Sequence, residues 1–513
     1  MFGETMPSTT DRFDYIVVGG GTAGCVIAAR LSEDDGARVL LVEADAARTS
    51  AAGTAPPAWP TLLQTSANWG DVTVQQRATG TRIPIASGRA LGGGSAINAM
   101  NYVRGHRTSY DAWARRGLTA WGFESLLPYF LRSESTVGRD PALRGTGGPL
   151  MVGPPDPPHP VVAAMLEAAV ESGHPRAVDV SGGAEEGFGW SDLNIVDGKR
   201  QSVADAYLAP ATGRRNLTVV TEALVHRLRI SGGRCTGVEY STGADTVSVV
   251  CGGEVVLAAG SFGSPQLLML SGVGPAEHLR QTGVDVEVDL PGVGQNLHDH
   301  PMSDVVYRAA RPVSAGLNNH GEAFGLVRSR PGLDGPDLQI LFLDIPGHIP
   351  DVDVPKMGQG YSIAVAPMLP KSRGTVRLAS ADPGVRPLVD PNNFGDDRDL
   401  ETAAVRGLRL ARAIGAARAL GNWREREVQP GPKVTSDAGL RQFVLKTLTT
   451  YNHPVGTCRM GVDPQAVVDD KLRVRGVEGL RVADGSAVPS IPSANTNATV
   501  CAIAERAAEL LQS

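Results

Sequence analysis

Cysteine is scarce and scattered. The five residues are Cys25, Cys235, Cys251, Cys458 and Cys501, and no CxxC pair occurs among them. That spacing excludes a zinc ribbon and a disulfide framework, and makes a reducing cytoplasm the expected compartment. Basic runs are missing too. The 48 Lys and Arg are outnumbered by 54 Asp and Glu, for a net charge of −6, so neither nucleic acid nor an anionic membrane surface is an expected partner. The N-terminal stretch to Asp11 has no apolar centre of the kind a secretory leader carries. One long uncharged run, residues 255–276, could pass for a membrane span. It holds four Gly, two Pro and a Gln, and reads instead as strand, turn and helix. No internal repeat or low-complexity tract is present.

What is abundant is glycine, 62 residues, with 36 prolines, scattered without a period. Such a composition suits many tight turns and close approaches of backbone to ligand. At 513 residues the chain exceeds one ordinary core, so two associated domains are expected.

The first forty residues carry the clearest local pattern. Phe13, Tyr15, Ile16, Val17 and Val18 form a β-rich apolar run that ends in glycines. A helix follows over 22–32, then a second strand over 38–43, making a βαβ unit. Between strand and helix stands Gly19–Gly20–Gly21–Thr22–Ala23–Gly24, a GxGxxG. Gly19 permits the turn, Gly21 admits a pyrophosphate close to the backbone, and Gly24 lets helix and strand touch. Thr22 and Ala23 open a helix whose unpaired N–H groups favour phosphate. Glu43 ends the second strand, placed to accept hydrogen bonds from ribose hydroxyls and to repel a 2′-phosphate. A dinucleotide cofactor follows, but this motif alone does not separate NAD from FAD.

Longer motifs make that separation. Gly88–Arg89–Ala90–Leu91–Gly92–Gly93–Gly94–Ser95–Ala96–Ile97–Asn98, continuing to Tyr102–Val103–Arg104–Gly105, and Gly260–Ser261–Phe262–Gly263–Ser264–Pro265–Gln266 resemble the two signature patterns of the glucose–methanol–choline oxidoreductase family. Further blocks are similar to that family in the same order: Gly294–Gln295–Asn296–Leu297–His298–Asp299–His300, then Tyr451–Asn452–His453–Pro454, Asp484–Gly485–Ser486 and Asn495–Thr496–Asn497–Ala498. The resemblance spans nearly the whole chain. It implies an α/β fold: a Rossmann-like FAD-binding domain built from 11–150, 187–305 and 451–513, and a substrate domain with an antiparallel sheet from 151–186 and 306–450.

By the same resemblance FAD is held by Gly19, Gly21, Thr22, Ala23, Gly24, Glu43, Arg89, Leu91, Gly93, Gly94, Ser95, Asn98, Ala99, Met100, Asn101, Val103, Val225, Ala259, Gly260, Asp484, Gly485, Thr496 and Asn497. The glycine run leaves room for a flat ring. Asn497 is the expected N-cap of the last helix, whose positive end would face the reduced flavin. His453 matches the family's catalytic histidine and is the expected base, with hydride passing to flavin N5; Asn495 falls on its second catalytic position and is the expected alkoxide clamp. Ile97 stands where some relatives carry a flavin-linking histidine, so non-covalent FAD is expected. His298 and His300 form an HxH without a further ligand set, and no metal is expected. His226, His278 and His320 read as surface or packing residues.

The expected activity is oxidation of a small-molecule alcohol, with oxygen or another acceptor taking the electrons. The alternatives are a sugar-hydroxyl oxidase and a hydroxynitrile lyase of the same fold. Substrate specificity is expected from residues 306–450 and from loops near 60–75, with an uncharged or aromatic alcohol preferred and no aromatic cage in evidence. Oligomeric state is not readable.

Overall fold

The structure, a computed structural model, describes residues 11–45, 51–183, 186–347, 354–395 and 398–513. The leader-like question at the N-terminus therefore lies outside the described residues.

The strand Arg12–Val18 and the strand Val39–Val42 pair in parallel at the centre of a seven-stranded sheet. Every residue of Val39–Val42 is buried, as a strand covered on both faces requires. Leu217–Val220 adds on one side, and Asp245–Leu257 and Leu480–Val482 on the other, all parallel. Asp245–Leu257 is long enough to run past the parallel region, where the antiparallel strands Arg234–Thr242 and Ala223–Ser231 extend the sheet. The expected first helix spans Thr22–Leu31 and is buried at nine of its ten positions. Its small residues let it lie between this sheet and the C-terminal helix Asn497–Gln512. Gly24 is the contact that needs no side chain: a Cβ there would stand 1.8 Å from the Gly19 carbonyl oxygen. The tempting apolar run resolves into the end of a strand, the helix Gly260–Leu270 and a turn. No helix among the described residues is long and apolar enough to cross a membrane.

The second sheet is antiparallel, in the order Arg424–Gln429, Pro301–Ala309, Gly360–Pro367, Leu338–Leu343, Ala323–Val327, Gly187–Trp190, with Thr449–Thr450 also paired to Pro301–Ala309. Its strands alternate strictly. Val305, Tyr307, Ile340, Phe342, Ile363 and Val365 pack against the helices Pro160–Glu171 and Arg398–Ala416. Phe324, Leu326, Leu341 and Ala364 face the other way, onto Val103 and Ala494. The period-two alternation of strands thus gives the sheet one structural face and one facing the first domain. Both Gly187–Trp190 and Pro301–Ala309 belong to this sheet, so we propose a division of domains near residues 191 and 300 in place of 187 and 305.

Candidate active site

Two glycine loops meet below the second sheet. The Gly92 N–H donates to the Gly20 carbonyl at 2.7 Å, and a Cβ on Gly93, whose φ is +51°, would stand 2.7 Å from the Gly21 Cα. The Leu91 side chain closes on Gly20. Two helix N-termini converge on the same place. The first helix opens at Gly21 and the C-terminal helix at Thr496, neither has a side-chain cap, and neither has an acid in its first turn. Asn497 does not cap the C-terminal helix as expected. It is the first helical residue, and its Oδ1 accepts from the Thr22 hydroxyl at 2.8 Å, tying the two helix ends together. Two helix ends without side-chain caps or acids, brought together in this way, suit a bound anion. Gly94 is exposed, and Asn98, Ala99, Asn495, Thr496 and Asn497 are half-buried, so the loops are accessible along an edge of mainly polar residues. The residues present therefore suit a dinucleotide with a flat ring system.

The other expected cofactor residues are arranged around these loops. Glu43 is buried, and its carboxylate accepts from the Gly20 N–H at 2.7 Å and the Asp45 N–H at 3.2 Å. It thus holds the glycine turn, a role beyond the ribose contact read from sequence. Burial raises its pKa and the backbone bonds oppose the rise. Arg89 pairs with Asp45 at 3.3 Å and lies over Trp69. Ser95 donates to the Gly92 carbonyl and accepts from the Val203 N–H. Asn98 accepts from the Met100 N–H and from Arg200, the Ala99 carbonyl accepts from Asn319, and Asn101 accepts from Ser191. Asp484 accepts from the Gly260 N–H at 2.8 Å and from Ser264, joining Ala259, Gly260 and Gly485 at one corner. Val225 pairs with Tyr240 on the strand Ala223–Ser231, whose first residue donates its N–H to the Glu43 carbonyl at 2.9 Å.

The expected catalytic pair is brought together: Asn495 Nδ2 lies 3.2 Å from His453 Nε2. What holds His453 there went unread in the HDH block. Asp299 accepts from the backbone N–H groups of both His300 and His453, each at 2.9 Å, and from the Thr450 hydroxyl. Burial raises the Asp299 pKa to about 6, against the pull of those three donors. The His300 and His453 rings stand perpendicular, with their Nδ1 atoms 2.9 Å apart.

These contacts set the tautomers. His300 Nε2 faces the Met368 carbonyl at 3.1 Å, and a carbonyl only accepts, so this nitrogen carries hydrogen. Burial depresses the His300 pKa to about 3, against the pull of the Met368 and Pro492 carbonyls, so the ring is neutral; with its one hydrogen on Nε2, its Nδ1 is an acceptor. The hydrogen between the two rings therefore belongs to His453 Nδ1. That leaves the lone pair of His453 on Nε2, directed at Asn495. The His453 pKa is lowered well below the ordinary imidazole value, first by burial and then by His300. The sequence motifs pair His453 with Asn495; the structure adds His300 behind the base. Among the described residues no cluster of His, Cys, Asp or Glu could hold a metal ion.

Above the pair, Tyr451 packs on His453 with ring centroids 4.3 Å apart. Gln339, from the sheet, donates to Asn495 Oδ1 at 3.4 Å and leaves its own carbonyl oxygen unpaired. Neither residue was singled out from sequence. Among the histidines set aside, His226 contacts Ser241 and His278 accepts from the Leu378 N–H. His320 is buried in an ion pair with Asp344 at 2.7 Å, with its other nitrogen on the Pro57 carbonyl.

Comparison with known proteins matches this geometry to a family. Two profiles described as GMC oxidoreductase match residues 13–302 and 370–504. The chain is 39% identical over 538 residues to mitochondrial choline dehydrogenase of Homo sapiens, covering 98% of this chain and 90% of that protein. It is 38% identical to oxygen-dependent choline dehydrogenase of Rhizobium etli, covering 97% and 95%. Among solved structures, pyridoxine 4-oxidase from Mesorbium loti superposes with a TM-score of 0.93 at 37% identity, covering 97% of this chain and 98% of that one. The chain belongs to the GMC oxidoreductase family, and is an FAD-dependent oxidoreductase acting on CH–OH donors.

Proposed function

We propose that this enzyme oxidises a small alcohol to the carbonyl, with His453 as base, Asn495 as alkoxide clamp and FAD bound without a covalent link. Bound FAD supplies the hydride acceptor. The Nε2 lone pair of His453 takes the hydroxyl proton, and its Nδ1–H stays on His300. Asn495 Nδ2, released from Nε2 as the alcohol enters, donates to the developing alkoxide. The observation that carries this reading is the chain of hydrogen bonds from the Met368 carbonyl through His300 to His453. Choline and pyridoxine, named for two relatives, are both alcohols.

The glycine loops and the two uncapped helix ends would hold the pyrophosphate and the ring. Ile97 has no atom able to form a covalent link, and acid precipitation should leave the yellow colour in solution. Five buried free thiols are compatible with the cytoplasm. Oxygen or another acceptor completes the cycle. The test is anaerobic mixing with a panel of alcohols and sugars. Wild type should bleach with one class, and His453→Ala should keep FAD and fail to bleach. Full-rate bleaching by that variant, or cyanohydrin cleavage without bleaching by any alcohol, would overturn the reading.

A further inference from the structure

The sheet face that looks onto the catalytic pair is apolar apart from a few side chains, and one of them is anomalous. Asp304 lies on the strand Pro301–Ala309, opposite Ala364, and that register continues through Leu341 to Phe324. Those three neighbours pack on Val103 and Ala494, beside Asn495. Asp304 therefore belongs to the row of side chains facing the first domain, while Val305 and Tyr307 face the helices.

The carboxylate is 5% exposed, and its Oδ1 has no hydrogen-bond partner. No described residue donates to it and none forms an ion pair with it. The N–H of Gly347, which packs against the carboxylate, is already committed to the Ser362 hydroxyl at 2.6 Å. Gly347 also makes the room: a Cβ there would stand 2.0 Å from Asp304 Oδ2. Tyr451, whose ring packs on His453, feels the charge of Asp304 at its hydroxyl. Burial alone raises the Asp304 pKa, to about 6, so the group is ionised at neutral pH. The neighbouring histidines His300 and His453 are neutral and offer no counter-charge.

A buried carboxylate with no partner is costly, and a hydroxyl donor would leave its charge unmatched. We propose that Asp304 is a specificity residue that binds a protonated nitrogen of the substrate, so that the preferred alcohol carries an ammonium or a ring N–H⁺ at the end remote from its reacting carbon. This rests on the alcohol-oxidation reading of the same site. It replaces the preference for an uncharged alcohol drawn from composition, because a single carboxylate, with Tyr451 beside it, does the work assigned to an aromatic cage.

The test separates the two readings by using ligands with no hydroxyl. N-methylbenzylammonium and benzyl methyl ether have the same shape and differ in charge. Each is titrated into the purified FAD-loaded enzyme while the visible flavin band is followed. Wild type should bind the cation at least about tenfold more tightly than the ether, and Asp304→Asn should lose that preference through weaker cation binding. A second variant, Asp304→Leu, addresses folding. Removing an unpaired buried charge should leave the ligand-free melting temperature unchanged or higher. Equal binding of the two ligands by wild type, retained cation preference in Asp304→Asn, or a melting temperature lowered in Asp304→Leu would each overturn the proposal. Whether alcohols bleach the flavin is a separate measurement and tests only the activity.

Discussion

Replacing His300 tests the wiring of the base without touching the base. In His300→Leu the acceptor for His453 Nδ1–H, now 2.9 Å away, is gone. Leaving that buried donor unpaired costs about 1–3 kcal/mol. The imidazole escapes the cost by moving its hydrogen to Nε2, which abolishes the lone pair that faces the alcohol. An energy of that size corresponds to roughly 5–150-fold in the population of the working tautomer, and the rate of anaerobic flavin reduction should fall by about that factor. FAD content should be unchanged, since His300 touches neither glycine loop. His300→Gln is the control. Its amide oxygen and nitrogen can stand in for the acceptor Nδ1 and the donor Nε2, one toward His453 and one toward the Met368 carbonyl. Stopped-flow reduction by a substrate alcohol should therefore rank wild type, Gln and then Leu. Equal loss in the Gln and Leu variants would mean that ring packing, not hydrogen-bond polarity, is what matters. An undiminished rate in His300→Leu would refute the tautomer argument outright.

Three further outcomes follow from particular contacts. Gly93→Ala forces a Cβ to within 2.7 Å of the Gly21 Cα at a φ of +51°, so the two loops must part; the purified variant should carry little flavin, measured by its ratio of visible to ultraviolet absorbance. The depressed pKa of His453 keeps it unprotonated as pH falls through the ordinary imidazole value of about 6.5. The titration of His453 itself should therefore not show in flavin reduction near that value, and a fall near pH 6 should instead follow Asp299 and Asp304, which burial raises to about 6; the contribution of His453 to stability is lost as pH drops below the unfolded value, where the unfolded chain takes up the proton first. All five thiols are buried, and burial raises Cys25 to about 12, Cys235 to about 11 and Cys251 to about 12. A thiol reagent near neutral pH should find none of them in the native protein and all five after denaturation.

The parts legible in sequence are those set by local chain geometry. The first strand, the glycine turn and the first helix lie within about twenty residues of one another, and each constrains the next. The apolar run at residues 255–276 was resolved by its own glycines and prolines. Asn497 shows the limit even there. Its residue type suits a cap, but Thr22, distant in sequence, captures the side chain instead. Gly187–Trp190 joins a sheet whose neighbouring strand begins at Ala323, and nothing near residue 187 announces that pairing. His320 reads as an ordinary histidine until Asp344 and the Pro57 carbonyl are placed at its two nitrogens. Gln339 and Asp304 were invisible for a related reason. Which face of a strand meets the cofactor domain depends on register with strands far away in sequence, and a one-residue slip would reverse it.

Charge matching separates a polar cluster that builds the fold from one that awaits a ligand. Arg144 is as deeply buried as any residue in the catalytic site, yet it meets Glu134 at 2.8 Å and both Asp179 and Asp192 at 2.7 Å. Arg104 joins Glu134 in the same network. The charges of that cluster are balanced by the protein itself, and it ties Glu134 and Arg144 to Asp179 and to Asp192, which pairs with Tyr102. The wall over His453 is different. Among the described residues Gln339 Oε1 and Asp304 Oδ1 are buried without a hydrogen-bond partner, and the buried Tyr451 hydroxyl beside them has only Asn495 within reach. At about 1–3 kcal/mol for each unpaired group, such a wall weakens the folded state unless something else satisfies it. Two of the three only accept, and the third can do either. A substrate rich in donors, entering with its hydroxyl toward His453 Nε2 and its charge toward Asp304, satisfies them together. The cost carried by the free enzyme then becomes the selectivity of the complex, since an alcohol without those donors leaves the same groups unpaired.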